Sequence, residues 1–206
     1  MTLDDALGSQ KLSVRLPVQA YEDGMLPPEQ ALILSSLLVA ESPKVVLEIG
    51  TFMGHTAKLM AMNLPDALIH TVDLPLDYSP GSDPVSGLVK DDFHLIAKRR
   101  VGREFLGTEY QSRIRQHFAD TGSWDFRVAE GATFFFIDGA HTYEYCKSDS
   151  EKCFALCGGR GVFVWHDCDD THPGVVRLIR EWRRLGRNVV RIENTPLAYW
   201  KAGQAA

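Results

Sequence analysis

The stretch that most constrains this chain is residues 45–60, which read V-V-L-E-I-G-T-F-M-G-H-T-A-K-L-M. Val45 to Ile49 is a short, β-branched apolar run of the kind buried on both faces of a parallel sheet. Gly50 and Gly54 bracket a turn. From Thr56 the period becomes helical, with Ala57, Met60, Ala61 and Leu64 on one face until Pro65-Asp66 stops it. A strand that passes through glycines into a helix lets a ligand approach the backbone and meet the free N–H groups of the first helical turn. The spacing here is G-x-x-x-G, not the dinucleotide G-x-G-x-x-G, so a pyrophosphate cradle is poorly matched. The same glycines also suit a plain strand-to-helix turn in any α/β protein.

The remaining residues repeat the strand–helix alternation. Residues 1–27 lack strong periodicity and read as an N-terminal arm lying over the domain or a partner, followed by one domain over 28–206. Pro28 opens a helix over 29–40 with Ala31, Leu32, Leu34, Ser35 and Leu38 inward, and Ser42-Pro43 breaks it. A second strand, 67–73, ends at Asp73, a little over 20 residues beyond Gly50 and about where nucleotide folds place a ribose-binding carboxylate. A turn-initiating role before Leu74-Pro75 is the plainer alternative. A Pro/Gly/Ser/Asp-rich loop over 76–87 precedes a helix over 90–101 and a strand over 112–119 that runs into Asp120-Thr121. Strand 133–141 delivers Asp138 and His141, and strand 161–167 delivers His166 and Asp167.

Between them, helix 143–157 carries Cys146, Ser150, Cys153, Phe154 and Cys157 inward and Lys147, Asp149, Glu151 and Lys152 outward, ending at Gly158-Gly159. Helix 174–185 and two segments, 188–192 and 197–200, that pair as a hairpin complete the pattern. The alternation predicts a three-layer, doubly wound α/β fold: an open, mostly parallel sheet covered on both faces and closed by an antiparallel hairpin. Ligands in such sheets bind outside the carboxyl ends of the strands. Glu48, Asp73, Asp120, Asp138, His141, His166 and Asp167 all fall at those ends.

Bulk properties narrow the partners. A net charge of −5 gives no support to a nucleic-acid surface, and Lys98-Arg99-Arg100 reads as a solvated helix face. No apolar run approaches the length of a membrane span, and the acidic start lacks an apolar signal segment. Cys146, Cys153 and Cys157, at i, i+7 and i+11, line one helix face and match neither a zinc nor a thioredoxin pattern. These features predict a reduced, cytoplasmic protein. The apolar-rich segment 12–25 is suited to packing on a neighbouring copy, which predicts a homo-oligomer.

Two motifs then carry a resemblance. Ile137-Asp138-Gly139-Ala140-His141-Thr142-Tyr143-Glu144, followed by Asp149-Ser150-Glu151, Gly158-Gly159 and Trp165-His166-Asp167, resembles the O-methyltransferase-like branch of the class I S-adenosylmethionine-dependent methyltransferases. Glu48-Ile49-Gly50-Thr51-Phe52-Met53-Gly54 is similar to that family's first motif, E-x-G-x-x-x-G. The resemblance implies a Rossmann-like sheet of seven strands and S-adenosylmethionine as cofactor. It implies a methionine carboxylate against the backbone of Gly50, Thr51, Phe52 and Gly54 and the helix start at His55 and Thr56, with Glu48 facing the ammonium group. Asp73, beside Leu74, would hold the ribose hydroxyls, and Asp120 and Thr121 would lie beside the adenine. Asp138 and His141 would border the cofactor from the reaction side.

Two routes for proton removal are implied. One uses His141 or His166 as general base. The other uses Mg²⁺ held by Asp138 and Asp167, although the third family position is Cys168, a soft donor that Mg²⁺ disfavours. Two other readings stand beside this one: a nicotinamide-dependent oxidoreductase on the same fold, and a catalytically silent binding module.

Overall fold

The computed structural model describes residues 7–8, 11–19, 21–22, 24–78 and 90–203. Helices α1 (Pro28–Glu41), α2 (His55–Asn63), α3 (Lys90–Lys98), α4 (Tyr143–Leu156) and α5 (Pro173–Arg184) surround strands β1 (Val45–Ile49), β2 (Leu68–Asp73), β3 (Ile114–Phe118), β4 (Phe134–Ile137), β5 (Gly161–Trp165), β6 (Val190–Arg191) and β7 (Ala198–Ala202). The seven strands form one sheet in the order β3-β2-β1-β4-β5-β7-β6. Its first five members are parallel, and β7 runs antiparallel between β5 and β6. The order reverses between β1 and β4, so a crevice opens at the carboxyl ends of those two strands.

The continuous apolar runs follow from having a layer of helices on each face. Successive side chains of a strand point to opposite faces. Accordingly Val46, Phe134 and Phe136 pack with Leu34, Leu37, Leu38 and Met60 of α1 and α2. Their neighbours Leu47, Ile49, Phe135 and Ile137 pack with Cys146, Cys153, Leu178 and Trp182 of α4 and α5. Of the cysteines read as core thiols, Cys146 and Cys153 are buried, Cys157 is half-buried, and all three are free.

Several details differ from the sequence reading. On α1 the buried residues include Ile33 and Leu37, while Leu32 is 41% exposed, because the helix presents a broader face that skips position 32. Helix α3 stops at Lys98, and the chain then turns so that Gly102 N–H donates to Phe52 O at 3.1 Å. The arm lies on the domain: Arg15 N–H donates to Asn63 Oδ1 at 2.7 Å, and Asn63 Nδ2 donates back to Arg15 O at 2.9 Å. Most of the loop read over 76–87 lies outside the described residues. Among the described residues no helix is long and apolar enough to cross a membrane.

Asp149 departs furthest, being 1% exposed on α4 where the helical pattern places it outward. Burial pushes its carboxyl up to about 7, against a hydrogen bond from Thr121 and the charge of Lys152, while Asp120 adds to the rise. The folded state therefore holds a proton that the unfolded chain releases near pH 4. Stability from this group is fully present below that point and is lost as pH rises towards 7, above which a buried carboxylate is left. Asp149→Asn should raise the melting temperature relative to wild type by about 3 °C more at pH 8 than at pH 5. Parallel thermal melts at the two pH values check this.

Candidate active site

The carboxyl ends of β1, β2, β3, β4 and β5 border one cavity of about 420 Å³, within the range of small-molecule sites. Hydrogen bonds continue past the strand ends in register: Gly50 N–H to Val72 O at 2.9 Å, Asp138 N–H to Ile49 O at 2.9 Å and His166 N–H to Ile137 O at 3.1 Å. That continuation fixes the spacing of the groups the strands deliver. Of the cofactor residues named above, Gly50, Thr51, Phe52, Gly54, His55, Thr56, Asp73, Leu74, Asp120, Thr121, Asp138 and His141 line the cavity, and so do His166 and Asp167.

The glycine turn is tight for a physical reason. Gly50 has φ +98°, and a Cβ there would stand 2.0 Å from the Asp138 carbonyl oxygen. Gly54, at φ +87°, would push a Cβ into the Phe105 ring. Phe52 between them adopts φ 48°, a left-handed conformation uncommon for a bulky residue. Its N–H donates to Asp73 Oδ2 at 2.7 Å, which ties the turn to the end of β2.

Arg99 completes that end of the site. Its Nη1 lies 2.8 Å from Asp73 Oδ1, and its Nη2 donates to Pro75 O at 2.6 Å. The reading of Lys98-Arg99-Arg100 as a solvated face is corrected here, since the Arg99 side chain is 5% exposed and lines the cavity. Burial raises the Asp73 carboxyl above its ordinary range, while Arg99 and the N–H groups of Phe52, Leu74 and Thr51 oppose the rise. Beyond β3, Asp120 Oδ1 accepts from Gly122 N–H at 2.8 Å and Oδ2 accepts from the Tyr145 hydroxyl at 3.1 Å. Tyr145, on α4, is a wall residue with no motif to mark it.

Glu48 takes a different place from the one the resemblance implies. It is fully buried, accepts a short hydrogen bond from Thr71 and is not among the cavity-lining residues. Strand alternation turns it to the α1–α2 side of the sheet. Burial holds its carboxyl well above the usual range, against the Thr71 hydrogen bond.

At the ends of β4 and β5 the titratable groups converge. His166 Nδ1 lies 3.2 Å from Asp138 Oδ1 and 3.0 Å from Asp167 Oδ2, and His141 Nε2 lies 2.9 Å from the same Asp167 oxygen. His166 Nε2 faces Gln30 Oε1 of α1 at 2.8 Å. Burial works to lower the His166 imidazole, but Asp138 and Asp167 outweigh it and carry it up to about 10. The Asp167 carboxyl, pushed up by burial, is held well below its usual range by His141 and His166. His172 stands beside them, 3.8 Å from Asp167 Oδ1 and 3.2 Å from Asp169 Oδ1.

The ligand set does not suit Mg²⁺ as the resemblance pictures it. The third donor beside Asp138 and Asp167 is the imidazole nitrogen of His166, where Mg²⁺ demands oxygen. Cys168 is 5% exposed, packs in the α4–α5 core and is absent from the cavity wall. Gln30, Arg99 and Tyr145 are the site residues that sequence reasoning missed. Only the burial of a polar residue on the apolar face of α1 could have drawn attention to Gln30.

Comparison with known proteins agrees with this geometry. The fold is that of the O-methyltransferase NovP, with a TM-score of 0.63 at 15% identity over 85% of this chain and 79% of that one. It is also that of the O-methyltransferase TomG of Streptomyces achromogenes, solved in complex with SAM (TM-score 0.55, 18% identity, 88% and 83% covered). An SAH-bound methyltransferase of Podospora anserina scores 0.59 at 17% identity, covering 87% and 81%. No curated protein matches the chain. The profile of a methyltransferase domain matches residues 47–168, more than half of the chain, and the chain belongs to that methyltransferase family.

The close approach at Gly50 makes a sharp prediction. Gly50→Ala combines a forbidden φ with overlap on a backbone carbonyl, so it should cost about 2 kcal/mol or more of stability. Chemical denaturation followed by circular dichroism measures the loss.

Proposed function

We propose that this methyltransferase moves the methyl group of S-adenosylmethionine to a hydroxyl of a small molecule or sugar. The observation that carries the reading is one continuous cavity with the glycine turn, Asp73 and Asp120 along one part of its wall and the Asp138–His141–His166–Asp167 cluster along another. The cofactor has a carboxylate and no phosphate, which suits G-x-x-x-G and the first N–H groups of α2. Asp73, which meets Arg99 at Oδ1 and the Phe52 N–H at Oδ2, has lone pairs left on both oxygens and accepts from the ribose hydroxyls. Asp120, Thr121 and Tyr145 border the adenine.

The sulfonium already activates the methyl carbon, so the protein's task is alignment and proton removal. The acceptor oxygen forms its bond to the methyl carbon as the carbon–sulfur bond breaks and its electron pair stays on sulfur, leaving S-adenosylhomocysteine. His166 is held as a cation between Asp138 and Asp167, with its other nitrogen on Gln30, and serves to orient those carboxylates. His141, on the cavity wall with Asp167 at 2.9 Å to orient its ring and stabilise the imidazolium, receives the acceptor's proton.

Calorimetric titration with S-adenosylhomocysteine should give saturable binding, and its absence at millimolar ligand would sink the reading. Asp73→Ala should weaken that binding about 10–100-fold, since the buried ribose hydroxyls lose their acceptor. In a screen of hydroxylated acceptors, His141→Ala should lower kcat by about 10²–10⁴ while leaving cofactor binding largely intact. Cofactor binding with no turnover on any acceptor would favour the silent binding module.

A further inference from the structure

Residues 177–191 carry six arginines and one acid, Glu181, a net charge of +5 in a chain whose total is −5. Helix α5 directs most of this charge straight outwards. At about 100° per residue, Val175, Leu178, Ile179 and Trp182 share one side of the helix and are buried. Arg177, Arg180 and Arg184 fall within about 60° of one another on the opposite side, and all three are exposed. Past the helix end, Arg183, Arg187 and Arg191 line a shallow groove beside β6, the edge strand of the sheet.

The molecule does not neutralise this charge itself. Glu181, the one acid of the segment, is held by Lys147 at 2.7 Å and by the Tyr143 hydroxyl. Arg177 lies over the Tyr143 ring at 3.7 Å, Arg187 lies over the Trp182 ring at 4.0 Å, and Arg183 Nε donates to Val189 O at 2.6 Å. Each of these partners is a ring or a backbone carbonyl and brings no countercharge. They fix the guanidiniums in place, so less side-chain freedom is lost when an external anion binds. Among the described residues, Arg177, Arg180, Arg183, Arg184 and Arg187 form no ion pair.

We propose that this arginine face is a docking surface for a bilayer containing anionic phospholipids. A single small anion would engage one or two guanidiniums, whereas the stripe from Arg177 to Arg184 runs about 10 Å along the helix and the groove extends it. A layer of headgroup phosphates presents charge on that scale, and an arginine fork meets two phosphate oxygens at once. Nucleic acid fits less well, because Trp182 and Trp200 are buried beneath Arg187 and offer no platform for base stacking. The apolar side of α5 is committed to the core, so the contact is electrostatic and peripheral, with Leu185 the exposed apolar side chain of the segment. The helix starts against the active site, where a Cβ on Gly174 would stand 2.3 Å from His141 O, so docking through Arg177 keeps the cavity near the bilayer.

The full chain should be mixed at low salt with vesicles of phosphatidylcholine alone, or of equal parts phosphatidylcholine and phosphatidylserine, and sedimented. It should bind the anionic vesicles and leave the neutral ones. Salt at about 0.5 M, where the screening length falls to about 4 Å, should release it. Arg180→Gln combined with Arg184→Gln should weaken binding about 10–30-fold. Arg115→Gln combined with Arg127→Gln removes the same charge from exposed positions elsewhere and should change binding less than about 2-fold. Circular dichroism confirms that each variant is folded, and S-adenosylhomocysteine titrated into the same samples reports on the cofactor reading separately. No binding to anionic vesicles, equal binding to neutral ones, or an equal loss in the two double variants overturns the proposal. Retention on duplex RNA or polyglutamate, with none on anionic vesicles, would overturn it too, assigning the face to a nucleic acid or an acidic protein in place of lipid.

Discussion

The cavity depends on how closely two backbones approach. The Asp138 carbonyl stands where a side chain at residue 50 would begin, 2.0 Å from an ideal Cβ, so only glycine lets the β1 turn fold over the end of β4. That approach brings the turn beside the polar end of β4. The inter-strand bonds that continue past β1, β4 and β5 hold both in register. A wider gap would separate a cofactor lodged on the turn from the groups delivered by β4 and β5. The spacing between the turn and the β4 and β5 ends is thus fixed by backbone packing before any side chain is chosen.

Once the strand ends are fixed, their charges must be compensated, because the crevice is only partly open to water. Each acid meets a different solution. Asp73 is paired with Arg99 and accepts from the Phe52 N–H, keeping lone pairs for a ligand. Asp138 and Asp167 share His166, and Asp167 also meets His141. Glu48 has only the Thr71 hydroxyl, and burial holds its carboxyl well above the usual range. The acids that face the cavity each meet cationic side chains or several donors, and the one that faces the core meets a single hydroxyl. That division separates wall residues from structural ones more clearly than sequence position does.

The fold was legible because its signals are local. Apolar runs such as Val45–Ile49 and Phe134–Ile137 report a sheet covered on both faces, and the glycines at 50 and 54 report the turn. The acids and histidines at strand ends were legible because topology alone brings carboxyl ends together. Arg99, Gln30, Tyr145 and Asp149 were not, since each acquires its role through a partner 25 or more residues away along the chain or through burial that helical periodicity contradicts. Arg99 leaves a helix that looks solvated and folds back on Asp73. Glu48 erred in the other direction: its position beside the glycine motif suggested a ligand contact, but the two-residue strand period turns it to the opposite face.

The matched methyltransferase segment, 47–168, contains the glycine turn, Asp73, Asp120 and the whole His–Asp cluster. The cavity wall extends beyond it, through Tyr21, Met25, Leu26 and Gln30 on one side and Pro196 on the other. Residues outside the matched segment therefore complete the wall, with Gly24 against Phe52 of the turn and Gln30 against His166 of the cluster. Gln30 joins the two sets, since it hydrogen-bonds the histidine that organises Asp138 and Asp167. A change in the α1 wall at this end of the cavity also acts, through Gln30, on His166 and the two carboxylates beside it. In the proposed reaction, acceptor choice and proton transfer are coupled by that one contact, and they would not vary independently among chains with the same β1–β5 scaffold.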